Sequence, residues 1–132
     1  VMRPRDDLAM PSETGVSDAA RRVDRQVMEA AGRDAPLLIR GGHGLGKARL
    51  ARRVHDRSDR RAARFVMRDA LRSAVDHAGI RAAFDEVGDG TLLIVGLGRL
   101  DPAAQDFVMQ SLRAAPFRLI ATSGLGIGEK IA

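Results

Sequence analysis

The sequence predicts an α/β domain in which a mostly parallel sheet lies between two layers of helices. Three observations carry this reading. Short apolar runs of strand length alternate with longer amphipathic stretches, the order that builds parallel sheets from crossover units. The run Pro36-Leu37-Leu38-Ile39 passes directly into a glycine-rich loop and then into a helical stretch. Thr91-Leu92-Leu93-Ile94-Val95 is strand-like and apolar almost throughout, as expected of a strand buried in such a sheet.

Residues 1–14 are polar, contain Pro4 and Pro11 and lack periodicity, so they read as a flexible arm. A first helix is expected over 17–31. Ser17 suits its N-cap, Asp18 suits its positive end, and Gly32 follows the last turn. Ala20, Val23, Val27 and Ala31 form its inner stripe. The first strand spans 36–40, and its continuous apolar run predicts cover on both faces.

After the loop, a helix buries Leu50, Ala51 and Val54 and turns Arg49, Arg53 and Arg57 outward beside Arg52. Arg60, Arg61 and Arg64 prolong this basic stretch. It reads first as a solvated helix face and second as an anion- or subunit-contacting one. A second strand covers 64–68. Asp69 is placed to cap a helix that reaches His77 and ends at Gly79, and a further helix covers 80–87 with Ile80, Ala83 and Phe84 inward. Gly88-Asp89-Gly90 is a turn before the clearest strand, 91–95. Asp101 as N-cap and Pro102 at the first helical position begin the next helix. Ala104, Phe107, Val108 and Leu112 face inward, and Pro116 ends it. The last strand spans 117–122, and residues 124–128 form a loop.

Composition narrows the function classes. At 132 residues the chain reads as one domain with a real core, 45% hydrophobic and 30% charged. No apolar run approaches the length of a membrane span, and the N-terminus lacks the apolar core of a signal peptide. With no cysteine, disulfides and thiolate metal sites are excluded. A cytoplasmic location is the expectation. The net charge of +5 is carried almost entirely by arginine, interspersed with acids, which suits a mixed solvated surface. Aromatics are all Phe in core-like positions, so a base-stacking surface is not expected.

The chemistry concentrates at Gly41, Gly42, His43, Gly44, Leu45, Gly46, Lys47 and Ala48. Gly41, Gly46 and Lys47 satisfy G-x-x-x-x-G-K, the phosphate loop or Walker A motif. Glycines let backbone N–H groups turn inward around a phosphate without Cβ clashes. The helix that follows aims its positive end at the anion. Lys47, one of two lysines in the chain, adds a point charge. The usual Ser or Thr that carries Mg²⁺ is replaced by Ala48. His43 can touch phosphate as imidazolium or face solvent. His55 and His77 have no partner at ligand spacing, so packing or surface roles are expected. Ser123 either approaches a γ-phosphate or simply ends a strand.

In order and spacing, these pieces resemble the central AAA+ ATPase domain of sigma-54-dependent bacterial transcription activators of the nitrogen-regulation type, over roughly residues 15–124. Gly15-Val16-Ser17 resembles the G-x-S near that family's adenine pocket. Gly41, Gly44, Gly46 and Lys47 match its G-E-S-G-T-G-K loop, whose next residue is typically Glu, so Ala48 departs less than it first suggests. Leu50-Ala51-Arg52 and His55 resemble the L-V-A-R-A-I-H helix, and Gly90-Thr91-Leu92 the G-G-T-L before the Walker B strand. Gln105 and Leu112 match the next helix, and Arg118-Leu119-Ile120-Ala121-Thr122 resembles R-I-I-A-A-T, leading to sensor I. The resemblance implies a P-loop NTPase three-layer α/β/α sandwich, an AAA+ core without its lid. Residues 125–132 then form a C-terminal stub.

The departures bear on activity. Where the family places the Walker B Asp-Glu, one acid for the Mg²⁺ shell and one for the attacking water, this chain has Val95 and Gly96. Asp85, Glu86 and Asp89 precede the strand and belong at its far end, and Asp101 has a cap role. Residues 68–89 contain no G-A-F-T-G-A loop, the family's sigma-factor contact, and Ala114-Ala115-Pro116 stands where a hairpin precedes sensor I. The residues through Ala132 do not reach the family's arginine fingers and helical lid.

The expectation is therefore a degenerate nucleotide-binding AAA+ module of a transcription regulator. It would hold ATP or ADP weakly, with or without Mg²⁺, through Gly41–Ala48 and hydrolyse it little. Its partners would be other AAA+ subunits or the rest of a regulator, without direct DNA contact and without a membrane. Two alternatives stay open: a protein-interaction domain with a relic phosphate loop, and a small P-loop phosphotransferase or ATPase that borrows acids from a partner.

Overall fold

A computed structural model describes residues 11–41 and 46–124. The elements are α1 (Pro11–Ala31), β1 (Leu37–Arg40), α2 (Lys47–Asp56), β2 (Phe65–Asp69), α3 (His77–Val87), β3 (Thr91–Val95), a 3₁₀ turn (Leu97–Arg99), α4 (Pro102–Ser111) and β4 (Arg118–Ser123). The four strands form one sheet in the order β1-β4-β3-β2, with every pairing parallel.

Alternation along the strands sorts the core into two layers. On one face, Leu93 of β3 and Ile120 of β4 meet Val27 and Ala31 of α1 and Ala51 and Val54 of α2. On the other, Val66, Leu92, Ile94, Leu119 and Ala121 meet Ile80, Ala83 and Val87 of α3 and Ala104 and Val108 of α4. The central strands β3 and β4 are covered on both sides, which explains why Leu92, Leu93, Ile94 and Ile120 have no exposed surface. Each such side chain contributes about 1.5–3 kcal/mol relative to exposure. The three-layer α/β/α arrangement read from the alternation of runs is the one observed.

Three local expectations are corrected. α1 starts at Pro11, six residues before Ser17, so Ser17 lies within the helix and is no N-cap. Proline is well suited to a first helical turn because its missing N–H would be unpaired there anyway. Residues 11–14 of the expected arm thus belong to α1; residues 1–10 and 125–132 lie outside the described residues.

β1 is an edge strand. Leu37 and Ile39 face α1 and α2, but Leu38 is 41% exposed, because among the described residues no helix covers β1 on its other face.

Of the two helices expected over 69–77 and 80–87, only the second forms, as α3 from His77; residues 70–76 are turn and irregular backbone. Asp69 ends β2, and its Oδ1 accepts the Leu71 N–H at 3.0 Å, a local turn and no helix cap. The cap is Asp76, whose Oδ1 accepts the Gly79 N–H at 2.8 Å, so Gly79 sits in the first turn of the helix that it was expected to follow. Asp101 caps α4 as expected: its Oδ1 accepts the Ala104 N–H at 2.7 Å, with Pro102 opening the helix.

The basic stretch is tied down by contacts within the chain. Arg52 pairs with Asp56, Arg53 with Asp24, and Arg57 donates to the Met28 sulfur. Arg60 reaches both carboxylate oxygens of Asp34 at 2.9 Å and also donates to the carbonyls of Asp89 and Pro116. This bidentate contact holds the Asp34 carboxyl below its ordinary range and the Arg60 guanidinium above its own.

Candidate functional site

Ligands of parallel α/β sheets collect at the C-terminal ends of the strands, where the loops diverge and helix N-termini converge. Here those ends are Arg40, Asp69, Val95 and Ser123. The register sets Arg40 beside Ser123 and Val95 beside Asp69.

The phosphate-loop motif flanks this edge. Gly42, His43, Gly44 and Leu45 lie outside the described residues. Gly41, Gly46, Lys47 and Ala48 are described. Gly41 is buried at the end of β1, and its N–H donates to the Ser123 carbonyl at 3.2 Å. Gly46 adopts the left-handed conformation, φ 71° and ψ 33°, which costs other residues but not glycine. It starts α2 without a side-chain cap and with no acid in the first turn. Among the described residues, the leading N–H groups of α2, at Lys47, Ala48 and Arg49, have no side-chain cap at the helix's positive end.

Lys47 is half-buried and turned back over the strand ends. Its ammonium donates to the Gly41 carbonyl at 2.7 Å and to the Ser123 carbonyl at 2.8 Å. The charge thus sits between β1 and β4 at the sheet's C-terminal edge. Ala48 is exposed and offers no hydroxyl.

Two strands away, the end of β3 carries no acid. Val95 is half-buried and packs with the α1/α2 face. Gly96 is buried in the left-handed region, φ 76°, and its N–H donates to Thr122 Oγ1 at 3.1 Å. A Cβ built on Gly96 would fall 2.6 Å from Leu71 Cδ2 and 2.8 Å from its Cγ. Leu71 therefore fills the volume into which a side chain at 96 would grow. Thr122 is consumed by Gly96, and the Ser123 hydroxyl turns toward the Gly124 carbonyl.

The remaining sequence candidates separate cleanly. His55 is buried in the core, with Nδ1 2.7 Å from Thr91 Oγ1 and its ring 5.2 Å from that of Phe65. Burial, aided by the nearby Arg52 charge, pushes its pKa below the ordinary value. His77 lies edge-on to Phe107 with centroids 4.7 Å apart. Both are packing residues, and among the described residues no cluster of His, Cys, Asp and Glu suits a metal. Asp85, Glu86 and Asp89 lie at or near the C-terminal end of α3 and before β3, at the opposite end of the sheet, as expected.

One acid at this edge was expected elsewhere from the sequence. Asp69, assigned to a helix cap, ends β2 beside Val95. The pattern Phe65-Val66-Met67-Arg68-Asp69 extends the strand by one residue beyond the expected 64–68, and that residue is the acid.

The donor set can be tested against a nucleotide and its cation. A triphosphate fits what is described: a left-handed glycine, an uncapped helix start and a lysine over the strand ends. Magnesium fits less well, since Ala48, Val95 and Gly96 supply no side-chain oxygen. Mg²⁺ is commonly held by one or two carboxylates plus phosphates and waters. Among the four strand ends, Asp69 alone has a carboxylate.

Comparison with known proteins identifies the family and the fold. Residues 14–80 match the family model described as the sigma-54 interaction domain. The chain is 30% identical over 122 residues to the HTH-type transcriptional regulatory protein TyrR of Enterobacter agglomerans, across 80% of this chain and 23% of TyrR. It superposes on NtrX of Brucella abortus in complex with ATP with a TM-score of 0.72 at 18% identity, covering 83% of this chain and 31% of NtrX. It superposes on the P-loop NTPase domain of a sigma-54 activator from E. coli with a TM-score of 0.67 at 22% identity, covering 82% of this chain and 75% of that domain. The chain spans about a quarter of the length of the curated relative.

Proposed function

The chain belongs to the sigma-54 interaction domain family of bacterial transcription activators, and from that premise we propose that it is a nucleotide-binding module that holds ATP or ADP and turns it over little. One observation carries the proposal. Lys47 and the uncapped start of α2 are in place at the sheet's C-terminal edge, while the end of β3 is Val95 followed by a left-handed Gly96 packed under Leu71. The cradle needs only backbone N–H groups, a lysine and a glycine; hydrolysis needs a cation shell and an oriented water as well.

The bound ATP of the structural relative NtrX supports nucleotide as the ligand class. The affinity is weak because Lys47 already has two carbonyl acceptors, which a phosphate must displace. The output is a conformational or subunit contact within a larger regulator, because residues 68–89 hold no G-A-F-T-G-A segment with which to engage sigma factor. Among the described residues no helix is long and apolar enough to cross a membrane.

The test combines calorimetry or thermal shift with a turnover assay. ATP and ADP at millimolar concentration should raise the melting temperature by mass action, and Lys47→Ala should abolish the rise. Phosphate release should stay near the uncatalysed background. Turnover at an ordinary ATPase rate that disappears in Lys47→Ala would overturn the catalytic half. No stabilisation by either nucleotide would leave the loop a relic and favour a protein-interaction domain.

A further inference from the structure

Loss of both acids from the end of β3 does not leave this edge of the sheet without negative charge. In-register neighbours on parallel strands project to the same face, so Asp69 shares the face of Val95. That face is independently identified: Phe65, four residues earlier on β2 and so on the same side, packs like Val95 against the layer of Leu93, Ala51 and Val54. It is the face on which α2 lies, the helix whose N-terminus bears Lys47. Asp69 therefore stands one strand spacing, about 4.8 Å, from the backbone position that lost its acid, on the side of the sheet occupied by the phosphate-loop helix.

Its surroundings suit a ligand-facing acid. Oδ1 accepts the Leu71 N–H, which fixes the carboxylate's orientation. Asp69 is half-buried, and among the described residues it forms no ion pair, although several other acids of the chain are matched to arginines. The turn that positions Asp69 also sends Leu71 over Gly96. One short segment thus closes the old acid position and presents a new acid beside it.

We propose that Asp69 is the carboxylate that faces the hydrated magnesium of a bound nucleotide, accepting hydrogen bonds from the waters of its shell. This rests on the nucleotide-binding reading above. The distance favours an outer-shell role: Mg²⁺ gives up its waters reluctantly, and a carboxylate one strand further from the loop reaches those waters more readily than the ion itself.

The experiment is calorimetric titration of the whole chain with ATP, in excess EDTA and again in millimolar Mg²⁺, for the parent, Asp69→Asn and Asp89→Asn. Asparagine retains the oxygen that accepts the Leu71 N–H, so the turn survives while the charge is lost. Asp89 lies at the opposite end of the sheet and controls for net charge. The expected result is that Mg²⁺ tightens ATP binding in the parent and in Asp89→Asn by about tenfold, the equivalent of one charge-assisted hydrogen bond, and that most of this gain vanishes in Asp69→Asn. Binding in EDTA should be unchanged or slightly tighter in Asp69→Asn, since a negative charge near the phosphates has been removed. Equal Mg²⁺ gains in all three proteins would overturn the role of Asp69 and leave the nucleotide reading standing. Absence of ATP binding in the parent under both conditions would overturn both.

Discussion

The two ends of the sheet are built on opposite principles. At the N-terminal end, side chains tie several elements together. Arg60 joins Asp34 to the carbonyls of Asp89 and Pro116. Arg118 is 3% exposed and donates to the carbonyls of Ala30 and Ala35, and burial lowers its pKa. His55 reaches Thr91 from α2. At the C-terminal end, the described polar contacts join adjacent strand ends or stay within one turn: Lys47 to the Gly41 and Ser123 carbonyls, Thr122 to the Gly96 N–H, Asp69 to the Leu71 N–H. The first end holds the fold, and the second leaves groups available to a ligand. Acids can be lost from the second end with little consequence for folding, because the packing that stabilises the sheet does not run through them.

The sharpest way to break this contrast is at Gly90. A Cβ there would lie 2.0 Å from the Arg64 carbonyl oxygen, a backbone atom that cannot rotate away. Gly90→Ala should cost about 3 kcal/mol or more, read as a fall in the urea midpoint at constant slope. A near-neutral result would show that the N-terminal end is looser than its contacts suggest.

Arg60→Ala comes next. It removes a half-buried guanidinium with several acceptors, including a bidentate carboxylate, and should cost about 2 kcal/mol while leaving ATP affinity as it was. A matching loss of ATP affinity would mean the two ends are coupled.

Restoring the lost acid tests the other end. Gly96→Glu forces a side chain into a left-handed backbone position, at about 1 kcal/mol, and against Leu71. Val95→Asp with Gly96→Glu should therefore recover no ATPase activity. Adding Leu71→Ala should relieve the contact, and stability measured by denaturation should rise relative to the double variant.

The smallest effect is in the pH dependence. His55 has a folded pKa below its unfolded value of about 6.5, so the unfolded chain takes up the proton first. Its contribution is fully present above that value and declines as pH falls toward the folded pKa. Asp34, also lowered, adds a second loss further down, as pH falls through the carboxylate range. Melting temperature followed from neutral to mildly acidic pH should fall in the parent and fall less in His55→Gln. Parallel curves would assign the decline elsewhere.

Much of this molecule was legible in the chain because the determining interactions are local. The apolar run 91–95 became β3, buried through Ile94; Asp101 and Pro102 started α4, and the loop motif sat between strand and helix as its spacing required. The errors came where a short polar residue can serve two local geometries. Asp69 can cap a helix or make a turn, and Gly79 can end a helix or sit in its first turn; neighbours in sequence do not choose between them. The cover on β1 was misjudged for a related reason, since an apolar run does not specify which of its faces meets a helix.

From sequence alone came the layer architecture, the phosphate-loop motif and the absence of acids at 95 and 96, for these are statements about residue type and spacing. The tertiary structure decided that Lys47 bridges β1 and β4, that Leu71 occupies the space above Gly96, and that Asp69 stands beside Val95. Each joins residues far apart in the chain or depends on strand register. Register is set by the packing of both sheet faces together, a property that no single segment carries.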